Sequence, residues 1–172
     1  LPRRLVSMWR SAEQKRMESL GSPWEPHNPP EEGFAVLSHH EMQIRVRYQE
    51  TDAMGRVHHA NYINYFEVGR TELLRAMGRS YREVETEGYY LVVAEVSVRY
   101  LLPAQYDDLL TLRTAVVKAR GARIEHEYQL FRGLDLVATG RTVVACVDRQ
   151  GQVRRLPDWL HARREPTRET PT

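Results

Sequence analysis

Apolar and polar positions alternate with two different periods along this chain. Met42, Ile44, Val46 and Tyr48 alternate with Gln43, Arg45 and Arg47, which predicts a strand with one buried face. Beyond it, Tyr62, Phe66, Leu73 and Met77 fall near one face of a helical wheel, and Gly78 stands where that helix would stop. The period then returns to two. Val92, Ala94, Val96, Val98, Tyr100 and Leu102 share one parity, with Glu95, Ser97 and Arg99 on the other. Residues 109–118 are rich in Leu, Thr and Val, and Ala119-Arg120-Gly121-Ala122 reads as a turn. Ile124, His126, Tyr128 and Leu130 alternate with Glu125, Glu127 and Gln129. Gly133-Leu134-Asp135 marks another turn, and residues 136–147 are apolar on both faces. One helix followed by four long β segments predicts an α+β fold, the helix covering one face of an antiparallel sheet.

The periodic region divides the chain into an N-terminal extension over 1–40, a domain over 41–160 and a polar tail over 161–172. The extension holds a short polar helical pattern at 11–20 and a Pro-rich linker at 22–33. Leu1-Pro2-Arg3-Arg4-Leu5-Val6 has basic residues but no apolar stretch after it, so no secretory signal is expected there. Lys and Arg number 25 against 23 Asp and Glu, and a net charge of +2 gives no electrostatic case for nucleic acid. No apolar run approaches the roughly 20 residues that span a bilayer. The single cysteine, Cys146, sits in an apolar strand, excludes an internal disulfide framework and suits a reducing compartment. A cytoplasmic protein with a buried, inert thiol is the expectation.

The join between strand and helix holds the candidate chemistry. Tyr48-Gln49-Glu50-Thr51-Asp52-Ala53-Met54-Gly55-Arg56-Val57-His58-His59-Ala60-Asn61-Tyr62 places a carboxylate and a histidine beside the positive end of a helix. Such a carboxylate suits hydrolysis of a compound carrying a carbonyl. On the residue pattern alone, Asp52 reads more readily as a turn or capping residue, His59 reads also as a packed histidine, and Asn61 reads as a helix cap. The pairs His39-His40 and His58-His59 lack the spaced partners of a zinc motif, so no metal is expected.

Tyr-x-x-x-Asp, then Gly, Val and His-Ala-Asn-Tyr, then Phe-Glu and Arg-Thr-Glu, resembles the hotdog-fold acyl-CoA thioesterases. The likeness is to the branch holding 4-hydroxybenzoyl-CoA thioesterase and the Tol–Pal-associated thioesterases. It extends weakly through Val98-Arg99-Tyr100-Leu101-Leu102-Pro103-Ala104, Tyr106-Asp107-Asp108 and Val144-Ala145-Cys146-Val147-Asp148, covering about residues 41–158. The resemblance implies a long helix wrapped by a curved sheet, and hydrolysis of a CoA thioester without a cofactor. It also implies a homodimer or homotetramer with sites between subunits. It makes Asp52 the general base or nucleophile, with His59 and Tyr48 beside it. Backbone N–H groups from His59 to Tyr62 would bind the oxyanion, and Gly55 would let the loop turn close to the substrate. Met54, Asn61, Tyr62 and Tyr65 are expected around the acyl group, and Met54 departs from the smaller residue usual in relatives. Arg99, Lys118, Arg120 and Arg123 are candidates for the phosphates of coenzyme A. Glu67 is a reserve carboxylate on the helix. Two other readings of the same fold are a non-catalytic acyl-CoA sensor and an enoyl-CoA hydratase or dehydratase.

Overall fold

The computed structural model describes residues 39–160. The readings of 1–38 and 161–172, including the short polar helix and the linker, lie outside the described residues. Strands β1 (His39–Arg45), β2 (Tyr90–Tyr100), β3 (Leu109–Arg120), β4 (Arg123–Arg132) and β5 (Asp135–Val147) form one sheet in the order β1-β3-β4-β5-β2. Every neighbouring pair is antiparallel. Two tight hairpins carry the chain from β3 to β5. Arg120 pairs with Arg123 around Gly121 (φ 65°), and Arg132 pairs with Asp135 around Gly133 (φ 59°). Glycine supplies the left-handed conformation that two-residue hairpin loops demand.

Helix α1 (His59–Ala76) lies across the sheet and buries Tyr62, Tyr65, Phe66, Gly69, Arg70, Leu73 and Leu74. Tyr62, Tyr65 and Phe66 pack with Val46, Leu110, Leu112, Tyr128, Leu130, Val137 and Ala138 into the main core. Two glycines bring helix and sheet together. A Cβ on Gly69 would stand 2.4 Å from Thr114 Oγ1, and one on Gly140 would stand 2.2 Å from Phe66 Cε2. The Phe66 ring is thereby stacked on Tyr128 with centroids 4.5 Å apart. Gly78 (φ 81°) ends the helix as expected, with the Arg79 N–H reaching back to the Leu74 carbonyl. A second core cluster of Ile124, Val144, Cys146, Leu156 and Leu160 packs where the chain folds back after β5. Cys146 is fully buried, as its apolar neighbours predicted, and burial raises its thiol pKa.

Three elements differ from the periodic reading. The first strand stops at Arg45 instead of running to Tyr48, and Tyr48–Glu50 forms a single 3₁₀ turn. The Glu50 carboxylate draws the chain back there by accepting the Arg47 N–H at 2.7 Å. A short helix, α2 (Tyr81–Thr86), follows α1 and was not foreseen. It buries only Val84, too little for an apolar period, although the Ser80…Glu83 capping box was visible in the sequence. The even positions of β2 do not form a buried face. Val92, Ala94 and Val96 are exposed, and the register shifts around Ala94, so alternate positions do not keep to one face along the strand.

Candidate active site

The segment between β1 and α1 closes on itself. Thr51 bridges to Val57, the Asp52 N–H donates to the Arg56 carbonyl at 2.8 Å, and the Gly55 N–H donates to the Asp52 carbonyl at 2.9 Å. Gly55 has φ 71°, a conformation most residues avoid, so glycine lets this four-residue turn shut. The loop is seated on the body through the Val57 N–H, which donates to the Ala104 carbonyl at 2.9 Å. Asp52 is half-buried within it. Its Oδ1 accepts the Met54 N–H at 2.8 Å and the Arg56 N–H at 3.3 Å, while Oδ2 has no partner among the described residues. One carboxylate oxygen is thus held by backbone and the other is free for chemistry.

The helix start faces the same segment. His58 is the N-cap, its Nδ1 accepting the Ala60 N–H at 3.3 Å. The Asn61 N–H donates to the His58 carbonyl at 2.9 Å, and the His59 N–H, at the first helical position, has no partner among the described residues. His58 and His59 are exposed, with ring centroids 4.1 Å apart. Tyr100 reaches over from β2, donating its hydroxyl to the His59 carbonyl at 3.0 Å and setting its ring edge-on to Tyr62. Asn61, read alone as the cap, instead donates from Nδ2 to the Glu50 carbonyl at 2.8 Å. The cap falls to His58 because its side chain lies ahead of the first helical N–H groups.

Glu50 is the residue that the sequence reading passed over. It is buried, and its oxygens accept from the Arg47 N–H at 2.7 Å, Arg47 Nε at 2.9 Å and the Tyr65 hydroxyl at 2.7 Å. Burial opposes its ionisation, but the backbone N–H of Arg47, the Tyr65 hydroxyl and the Arg47 guanidinium together hold its carboxyl below the ordinary value. Tyr65 moves the other way, its hydroxyl pKa raised by burial and by the bond to Glu50.

The comparisons match this architecture. A model described as the thioesterase-like superfamily matches residues 46–163. The chain belongs to the thioesterase-like superfamily. It is 38% identical over 106 residues to the acyl-CoA thioesterase YbgC of Haemophilus influenzae, covering 61% of this chain and 78% of that protein. A probable thioesterase from Bartonella henselae superposes with a TM-score of 0.66 at 35% identity, covering 70% of this chain and all of that one. The DHNA-CoA thioesterase of Staphylococcus aureus does so at 0.66 and 31%, covering 69% and 80%. The expected hotdog fold and the thioesterase family are borne out, and with the family comes thioester hydrolysis as the reaction class.

In this thioesterase-like chain, the remaining expected site residues divide by burial. Tyr48 is 78% exposed and meets Tyr106 edge-on at 5.5 Å, and Met54 is 75% exposed at the loop tip. Tyr62 is buried in the core, with its hydroxyl bonded to the Ala104 backbone. Of the cations, Arg123 pairs with Glu95 at 3.2 Å and Lys118 with Glu125 at 3.6 Å. Arg120 is exposed at the hairpin without a charged partner among the described residues, and Arg99 is half-buried on β2. Glu67 is an exposed partner of the buried Arg70, at 3.0 Å. Among the described residues no cluster of His, Cys, Asp and Glu could hold a metal ion, and no helix is long and apolar enough to cross a membrane.

Proposed function

We propose that the chain is an acyl-CoA thioester hydrolase in which Asp52 carries the chemistry. The observation that carries this reading is the held-and-free geometry of its carboxylate beside the open helix start. The YbgC relative, named an acyl-CoA thioesterase, supports acyl-CoA as the substrate class. Overall, water and the thioester give the carboxylic acid and the coenzyme A thiol: the C–S bond breaks and the sulfur takes a proton as it leaves. Asp52 serves by one of two routes. As a base, Oδ2 takes the proton of the attacking water; as a nucleophile, it forms a mixed anhydride that water then opens. In a single turnover in ¹⁸O-labelled water, label in the Asp52 carboxylate would establish the nucleophilic route with water opening the anhydride at the aspartyl carbon. The unpartnered His59 N–H and the helix end stabilise the oxyanion, with the His59 imidazole orienting water or substrate. Arg120, free of any carboxylate among the described residues, is the foremost of the four cations for the coenzyme A phosphates.

A second copy completes the site. The β2 edge, unpaired among the described residues and with Val92, Val93 and Val96 exposed, supports antiparallel joining of two sheets. Unpaired edges of this length and apolarity are normally covered. The Asp52 loop then stands near the partner's surface, where the acyl group lies between subunits.

Thiol release across acyl-CoAs of varied chain length, with benzoyl- and hydroxybenzoyl-CoA, tests the function. Asp52→Asn should fold and lose about 10²- to 10⁴-fold in kcat. Near-wild-type turnover by that variant would remove Asp52 from the chemistry. Tight acyl-CoA binding with no thiol release from the wild type would support the sensor reading instead.

A further inference from the structure

Glu50 is the one carboxylate among the described residues that is buried, at 5% exposure. Removing a carboxylate from water is costly unless its oxygens are supplied with donors. Here they are supplied from two directions. Arg47, at the end of the β1 segment, gives its N–H, its Nε and a guanidinium nitrogen 2.7 Å from Oε1. Tyr65, two turns into α1, gives its hydroxyl at 2.7 Å. The main chain of the same residue is also occupied. The Glu50 carbonyl accepts the His58 N–H and Asn61 Nδ2, both at 2.8 Å.

These bonds have a common consequence. Glu50 stands two residues before Asp52, and its carbonyl holds the residue just before the helix start. Its side chain fastens the near end of the 51–57 loop to the helix, and its carbonyl fastens the far end. Among the described residues, the loop's other long-range ties are Val57 to Ala104 and Arg56 to Gln105. Both hold the Arg56–Val57 side of the loop, and Asp52 meets them only through its two bonds to Arg56. Charge-assisted hydrogen bonds are directional and short, so they set the distance between Asp52 and the His59 N–H where apolar packing would let it drift.

We propose that Glu50 is a positioning residue of the Asp52 site, acting through Arg47 and Tyr65 to set the Asp52 carboxylate against the helix start. This rests on Asp52 carrying the chemistry. Displacement of a reacting group by about 1 Å costs on the order of 10²-fold in rate. Glu50→Gln keeps the size of the side chain but turns an amide NH₂ toward donors. It should therefore lower kcat by about 10- to 100-fold with KM nearly unchanged. Tyr65→Phe keeps the ring and removes one donor, and should lower kcat by about tenfold.

The experiment measures kcat and KM for wild type, Glu50→Gln, Tyr65→Phe, Asp52→Asn and the Glu50→Gln/Asp52→Asn double variant. Near-ultraviolet circular dichroism at the assay temperature shows that each is folded. The expected result is a loss in kcat for Glu50→Gln that disappears in the Asp52→Asn background, because there is no longer a carboxylate to position. A purely structural role would instead reduce the folded fraction and lower both backgrounds alike. Wild-type kcat in Glu50→Gln, with Asp52→Asn inactive, overturns the positioning role and leaves Asp52 standing. Wild-type kcat in Asp52→Asn overturns the catalytic reading and the positioning role with it. Should Glu50→Gln not fold, Tyr65→Phe decides: wild-type kcat in it overturns the proposal.

Discussion

Gly140→Ala tests how closely the helix is pressed to the sheet. The added Cβ would stand 2.2, 2.7 and 2.9 Å from three carbons of the Phe66 ring. Ordinary contact begins near 3.5 Å, so the ring must move by about 1 Å. It has nowhere to go, because it is fully buried and stacked within 14° of parallel on Tyr128. Overpacking of this kind costs about 1–3 kcal/mol, and the upper end applies where the ring is held on its other face. Alanine also stiffens the unfolded chain, which returns about 0.4–1 kcal/mol. The net expectation is about 2 kcal/mol of destabilisation. For a chain of this size that lowers Tm by about 4–8 °C. Urea unfolding followed by fluorescence, at fixed protein concentration, measures it. Adding Phe66→Leu should recover part of the loss, since the shorter side chain vacates the space the Cβ needs. A Gly140→Ala protein within 0.5 kcal/mol of wild type, or a double variant no better than the sum of the singles, would refute the close-approach argument.

Other outcomes follow from different parts of the molecule. His126 is buried beside Arg70, and burial with that charge lowers its pKa to about 3. It is neutral when folded and charges only on unfolding, so its contribution to stability is complete above pH 6.5 and falls as pH drops toward 3. The loss is about 2 kcal/mol by pH 5, and His126→Gln should flatten the dependence of Tm on pH between 7 and 5. Ser80→Ala removes the capping box of α2 and should cost about 1 kcal/mol by chemical denaturation. Val96→Asp places a charge on the exposed β2 edge and should shift the protein toward monomer by sedimentation, with thiol release falling in step. Persistence of the wild-type oligomer would move the subunit contact off that edge.

Much of the fold was legible because burial leaves a period. The 3.6-residue rhythm of Tyr62, Phe66 and Leu73 marked α1, and the two-residue rhythm of Ile124 to Leu130 marked β4, since each had one face on the core. Where burial does not alternate, the reading lost its grip. The apolar run of β2 gave no hint that it lay at an edge, and α2 buried too little to show a rhythm at all. In the site, Asp52, Gly55 and His59 were legible as a local motif, whereas nothing local marks Glu50, whose partners Arg47 and Tyr65 only the fold supplies.

The sequence by itself determined what neighbours along the chain can dictate. These are the helix and its Gly78 stop, the glycine hairpins, the core thiol and the family to which the loop belongs. Only the tertiary structure decided which polar groups are desolvated and which meet. Arg47, Glu50 and Tyr65 span 19 residues of sequence yet share one cluster of hydrogen bonds. Arg70 and His126 come from different elements to share one buried region under the helix. The physical reason is that local conformation depends on adjacent residues, whereas desolvation and hydrogen-bond partnership depend on what the fold brings from elsewhere.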